Sequence, residues 1–280
     1  VENVCIKNGA ITGWGYEGIR AEFVPYGKAE NLIVRNCDRN GISVGDGWHI
    51  HHCTSIGNGF DGTSSVFVGI RSRENTTITH STAINNKSGG VWGSGNLSHC
   101  VSSDNGGHGF LFGSESEVSH CLSKNNVGDG FQQINSSLVN YHKCTAHGNQ
   151  NNGFQATNTH GRFKATDCIA ESNDQHGFKS LNILTANNCS AIGNGADGFV
   201  GGESCQLTGC TAYANDNGIN LGTGSAVRDC VANENSQSGI VVSDTCLVEG
   251  NLCHSNGSGG SGIHITGREC TIRNNMVANS

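Results

Sequence analysis

The chain has 280 residues, enough for one large domain or two small ones, with 42 Gly, one Pro, 14 Cys and only 35% apolar residues. Such a composition excludes an ordinary globular core and suits a fold that buries a narrow column. A formal charge of −7 and the lack of any long apolar run exclude a nucleic-acid partner, an anionic membrane surface and a membrane span, and the opening VENVCIKNGAI is no signal peptide.

Residues 106–133 read GGHGFLFGSESEVSHCLSKNNVGDGFQQ, in which Gly109-Phe110 returns as Gly130-Phe131 with Cys121 and Asn126 between. The unit recurs along the whole chain. Taken in order, an anchor position holds Asn3, Cys37, Cys53, Ser81, Cys100, Cys121, Cys144, Cys168, Cys189, Cys210, Cys230, Asn251 and Asn275. Five residues later comes an Asn column: Asn8, Asn58, Asn86, Asn105, Asn126, Asn149, Asn173, Asn194, Asn215, Asn235 and Asn256. A third column is apolar after Gly: Ile19, Ile42, Ile70, Val91, Phe110, Phe131, Phe154, Phe178, Phe199, Ile219, Ile240 and Ile263. From Cys37 onward successive anchors lie 16 to 28 residues apart, and from Ser81 to Asn275 the mean is near 22.

No segment keeps helical apolar spacing for long, whereas NILTANNC and GIVVSD alternate as short strands do. The spacing predicts an all-β, single right-handed parallel β-helix over residues 1–280, of about 12 turns with three short strands each and roughly 55–60 Å long. In it, Asn is expected to take the left-handed backbone of a tight turn and to bond the Asn above and below. Gly is expected to supply positive φ before the strand. Small residues after the anchor (Ser102, Ser123, Ala146, Ala170, Ala191) face a stacked ladder of Phe110, Phe131, Phe154, Phe178 and Phe199.

One Cys per turn is a stacking pattern, read as buried thiols behaving as small hydrophobes. The best-placed disulfide lies off that column, between Cys246 and Cys270. Val101, Leu122, Thr145, Ile169 and Met276, each just after an anchor, form a semi-apolar outer stripe if they point outward, a surface for lateral or end-to-end protein contacts. His52, His80, His99 and His120 each immediately precede an anchor, with His142 displaced by one; they read first as solvated turn histidines, a shared transition metal being the alternative, and no metal ligand is assigned. Calcium is the remaining cofactor reading: GNGFDG and GNGADG place one carboxylate per turn, short of the regular acidic repeat of calcium-filled β-rolls.

Candidate chemistry lies on the Gly-Phe strands. Following the inward residue by one come Arg20, Arg71, Trp92, Leu111, Gln132, Gln155 and Lys179; on the turn leading in come Glu17, His108, Asp129, Asn152, His176 and Asp197. Trp92 can stack on a sugar ring, while Gln132, Gln155, Asn152, Asp129 and Asp197 can read its hydroxyls. Arg71 or Lys179 can neutralise a uronate carboxylate, and His108, His176 or Lys179 can act as base at the carbon beside it. The competing reading is a solvated strand surface.

The repeat, as in TDCIAESNDQHGFKS and NNCSAIGNGADGFVG, resembles the right-handed parallel β-helix (pectate-lyase-like) superfamily over essentially the whole chain, and within it the "right-handed β-helix region" group, which is similar to alginate C5-epimerases and polysaccharide lyases. The resemblance implies an extracellular or periplasmic protein acting on a polysaccharide. The superfamily's motifs depart here: the Asp-Pro-His-Asp signature is absent, the only proline is Pro25, and Gly107-His108-Gly109 matches one fragment of the polygalacturonase pattern without its partners. No catalytic role therefore carries over residue by residue. A lyase or C5-epimerase on an acidic polysaccharide and a non-catalytic glycan-binding or filament-forming rod are both expected readings. Neither end shows a capping element, which points to a larger polypeptide or to a covering partner.

Overall fold

The structure, a computed structural model, describes residues 4–60, 67–135, 138–157 and 162–278. Among these residues it is built from strands alone, and every pairing between turns is parallel. The chain winds as a right-handed β-helix of about 12 turns. One turn is typified by Phe131–Gln133, Val139–His142 and Thr145–His147. Some corners are crossed without a break, as in Val91–Ser98 and Phe110–Ser119.

The third column of the sequence repeat is continuous in space. Ile19, Ile42, Ile70, Val91, Phe110, Phe131, Phe154, Phe178, Phe199, Ile219, Ile240 and Ile263 are register partners in succession. Within it the five Phe rings stack with centroids 4.7–4.9 Å apart and planes within 6° of parallel. Tyr141 and Phe163 meet that stack from the second strand column, largely edge-on. The third strand column faces them with small buried residues from Ala83 and Ser102 to Ala232. Val101, Leu122, Thr145 and Ile169 alternate with these and point outward.

The Asn column is a hydrogen-bonded ladder running without a break from Asn58 to Asn256. Each Oδ1 accepts the backbone N–H of the Asn one turn earlier, as Asn149 Oδ1 does from Asn126 at 3.1 Å, and accepts that residue's Nδ2 as well, at 2.9 Å. The same Nδ2 donates to a core-wall carbonyl, Ser102 in the case of Asn126. Every polar atom of these buried amides thus has a partner, the condition under which burying them is tolerated.

Several sequence expectations change. Cys37 belongs to this ladder rather than to the anchor column, because its N–H donates to Asn58 Oδ1. Its place as anchor is taken by Leu32, since Ile33 pairs with Thr54. Asn8 likewise sits in the corner column before the anchor, stacked on Asn31; Asn3 lies outside the described residues. The corrected turn length runs from 19 to 28 residues, and the 16-residue interval vanishes.

The left-handed backbone is not at the ladder Asn but one residue before it, at Asn85, Asp104, Asn125, Gly148 and their equivalents. A second left-handed column precedes the anchor and includes His52, His80, His99 and His120. Gly before the apolar residue is needed for space rather than for positive φ. A Cβ on Gly130 would lie 2.6 Å from the carbonyl oxygen of Gly153 and 2.9 Å from Ala146 Cβ.

The anchor thiols are buried and donate to the carbonyl two residues back, as Cys121 does to Ser119 and Cys168 to Thr166, both at 3.3 Å. Cys246 and Cys270, the best-placed candidates for a disulfide, are stacked free thiols, the N–H of Cys246 donating to Cys270 Sγ at 3.4 Å. Burial pushes Cys53 and Cys205 above the ordinary thiol range and Cys253 up to about 12.

In native protein at neutral pH, iodoacetamide followed by mass mapping should modify exposed Cys5 and half-exposed Cys270, leaving the column thiols protected until denaturant is added. Asn149→Ala strips the partner from a buried N–H and should cost about 1–3 kcal/mol in urea unfolding. Tyr141→Phe should cost nothing or stabilise slightly, because the fully buried Tyr141 hydroxyl has no partner among the described residues.

Candidate functional site

The outward side chains of the Gly-Phe strands form one column: Arg20, Ser43, Arg71, Trp92, Leu111, Gln132, Gln155, Lys179, Val200 and onward to His264. Its residues are not all within reach of one another. Arg71 and Lys179 are five turns apart, about 24 Å at the spacing of parallel strands. One sugar unit cannot engage both cations, so the column divides into two groups.

The first group lies on the early turns. The Arg71 guanidinium sits 4.9 Å from the Trp92 ring centroid. Beside this pair, a cleft of about 370 Å³ is lined by Asp46, Arg71, Arg73, Glu74, Trp92 and the small residues Ser94, Gly113 and Ser114. Its carboxylates are held in place: Glu74 N–H donates to Asp46 Oδ1 at 3.1 Å, and Ser114 Oγ donates to Glu74 Oε1 at 3.3 Å. Further aromatic–cation pairs flank it. Arg39 lies 3.8 Å and Arg20 5.1 Å from the Tyr16 centroid, Arg39 also reaches Phe67, and Arg73 lies 5.5 Å from exposed Phe23.

Sequence reasoning selected Arg71 and Trp92 but missed Arg73, Glu74, Asp46, Arg39, Tyr16 and Phe23. Arg71-Ser72-Arg73 carried a usable signal, since alternation along a strand sends both arginines to one side. The others sit on loops whose approach depends on turn lengths.

The second group holds the remaining candidates, and most of its polar atoms are already engaged in a ladder of its own. Asp129 N–H donates to His108 Nδ1 at 3.0 Å, and Asn152 N–H and Nδ2 donate to Asp129 Oδ1 at 2.9 and 2.8 Å. His176 N–H donates to Asn152 Oδ1, Asp197 N–H to His176 Nδ1 at 3.2 Å, and Asn217 N–H to Asp197 Oδ1. Gln155 turns its amide nitrogen to Asp129 Oδ2 at 2.7 Å, and Asn220 donates to Asp197 Oδ2. Asp129, Asn152 and Asp197 are buried and hold the turn; Gln132 and Lys179 remain half-exposed on the surface.

This ladder fixes the histidine tautomers. With Nδ1 accepting an amide proton, His108 and His176 carry their own proton on Nε2 and present it as a donor. Burial, then the neighbouring Lys179 charge, push the His176 pKa below the ordinary value. Asp197, the described carboxylate of the GNGADG turn, has both oxygens engaged by Asn217 and Asn220. GNGFDG extends beyond the described residues.

The histidine column stands on another corner. His80, His99 and His120 stack with centroids 4.8–4.9 Å apart and planes within 2°. Partial desolvation, then the adjacent His99, His52 and His51, lower the His80 pKa; partial desolvation, then His99, Lys143 and His142, lower that of His120.

No protein-family model matches the sequence, and no curated protein does. Among solved structures, the chain shares the right-handed parallel β-helix fold of alginate epimerases. The periplasmic alginate epimerase AlgG superposes with a TM-score of 0.64 at 12% identity, over 97% of this chain and 74% of its own. The Azotobacter vinelandii mannuronan C-5 epimerase AlgE4 A-module gives a TM-score of 0.61 at 14% identity, over 96% of this chain and 84% of its own. At such identities the likeness is one of fold.

Lowered histidine pKa values tie stability to pH. The unfolded chain titrates these imidazoles near 6.5, the folded chain only at lower pH. As pH falls through 6.5, the unfolded state binds protons first, so stability is lost on acidification and is level above that range. Urea midpoints measured from pH 8 to pH 5 should fall below about pH 6.5, and His80→Asn with His120→Asn should flatten that decline.

Proposed function

We propose that this chain is an extracellular or periplasmic carbohydrate-active β-helix protein that takes an acidic polysaccharide along its Gly-Phe face, with the cleft around Arg71 and Trp92 as the central subsite. The observation that carries the reading is the pairing of Arg71 with Trp92 beside Arg73, in a cleft that also holds Asp46 and Glu74. A uronate unit presents a carboxylate for a guanidinium and an apolar ring face for an indole, and these two groups together match both. The local cluster of Arg20, Arg39, Arg71 and Arg73 offsets the overall negative charge where a polyanion would lie.

A lyase or C5-epimerase would here remove the proton at C5 of a uronate while an arginine neutralises the carboxylate. The electron pair then either expels the oxygen at C4, leaving a C4–C5 double bond, or regains a proton from the opposite face. Arg71 and Arg73 supply the cation in this reading, and Glu74 and Asp46 are the nearest titratable groups in the same cleft. Lys179 with His176 is the alternative centre, five turns away. A purely binding rod is the second reading. It is favoured by the engagement of His108 and His176 Nδ1 in the turn ladder, which withholds their basic nitrogens.

Affinity electrophoresis against alginate, polygalacturonate and a neutral glucan tests the binding step. Retardation by the uronate polymers should weaken about tenfold or more in Arg71→Ala and Trp92→Ala, while Lys179→Ala should have a smaller effect. Equal retardation by the neutral glucan, or none by any polymer, would sink the proposal. Ultraviolet detection of unsaturated products and proton NMR of the recovered polymer then separate lyase, epimerase and binding rod.

A further inference from the structure

The histidine column does not end as it runs. From His120 to His80 it is a bare stack, with planes within 2° at the spacing that parallel strands impose. At His52 the stack breaks: this ring is tilted 54° from His80 at 5.1 Å. A third imidazole enters there from outside the column. His51, at the end of the strand His49–His51, brings its ring centroid to 3.9 Å from His52 and 5.4 Å from His80. One ring nitrogen from each of the three lies within 4.8 Å of the others, the one such grouping of three among the described residues.

We propose that His51, His52 and His80 form a binding site for a borderline divalent transition metal such as Zn²⁺, Ni²⁺ or Cu²⁺. Neutral imidazole is the preferred nitrogen donor for these ions, and three of them with water complete a four-coordinate shell. His51 Nδ1 shares a hydrogen bond of 2.6 Å with Thr79 Oγ1, a second contact of the kind that orients a ligating imidazole. His52 and His80 are exposed, so their rings are able to turn inward and close the remaining distance. The other charges facing the site are Glu30, the register partner of His51, and Lys28, which is paired with Glu30 at 2.7 Å. The proposal does not depend on polysaccharide binding, since the site stands on a different corner of the coil.

The test uses the full chain stripped with a chelator. Zn²⁺ is titrated by calorimetry and Cu²⁺ by electron paramagnetic resonance, where nitrogen hyperfine structure reports imidazole ligation. The substitutions keep the left-handed backbone at these corners by using Asn, which Asn188 already carries at an equivalent position. One equivalent of metal should bind, His52→Asn and His80→Asn should abolish it, Thr79→Val should weaken it about tenfold, and His120→Asn should leave it unchanged. Absence of saturable uptake overturns the site. So does an equal loss in His120→Asn, which would mark diffuse association with the whole column. Circular dichroism of each variant separates a lost ligand from a lost fold.

Discussion

Everything in this molecule hangs on the asparagine ladder. A coil of three short strands per turn has to change direction sharply at its corners, and the backbone N–H groups there point along the rod axis into a region closed to water. Each ladder Asn receives one of these N–H groups from the turn before, and its own Nδ2 reaches both the next Asn and a core-wall carbonyl. A partly satisfied amide in this position would cost more than an apolar residue; a fully connected run fixes one turn above the next in a single register. The Phe stack, the small residues opposite it and the thiol column then fall into line because the ladder has set their heights.

The same device recurs where chemistry was expected. His108, Asp129, Asn152, His176 and Asp197 form a second ladder on the corner leading into the Gly-Phe strands, each side chain accepting the N–H of the following turn. Residue types that suit acid–base work also suit this task, since an imidazole nitrogen and a carboxylate oxygen are both good amide acceptors. Periodicity is the feature that separates the two uses. Scaffold acceptors repeat at one position in successive turns, whereas Arg71, Arg73, Trp92 and Glu74 gather at one place on the rod.

The fold was legible in the sequence because its period is written in residue types that stacking requires. The Gly-apolar column was read correctly at all twelve positions, since no other residue fits against the next turn's carbonyl where Gly130 stands. The phase of the first turns was not legible. Cys37 looks like an anchor by type but sits in the Asn ladder, and Leu32, the true anchor, looks like nothing in particular. The left-handed positions were also displaced by one residue, because Asn signals such a backbone and the ladder uses Asn for another reason. The candidate cleft was only half legible: Arg71 and Trp92 lie on the regular strands, whereas Asp46 and Glu74 arrive on irregular connections whose course no repeat encodes.

Variation in length falls in most turns on one edge of the coil. From anchor to ladder Asn the count is five residues in every described turn from Cys53 onward, and from there to the inward apolar residue it is again five in most turns; the stretch leaving each Gly-Phe strand ranges from nine residues after Val91 to fourteen after Phe154. That edge borders the cleft through Arg73, Glu74, Ser94 and Ser114. Insertions and deletions there leave the asparagine ladder untouched, so the rim can be recontoured while the shaft stays constant. A lineage of such rods could reshape the cleft's border by lengthening or trimming these excursions alone.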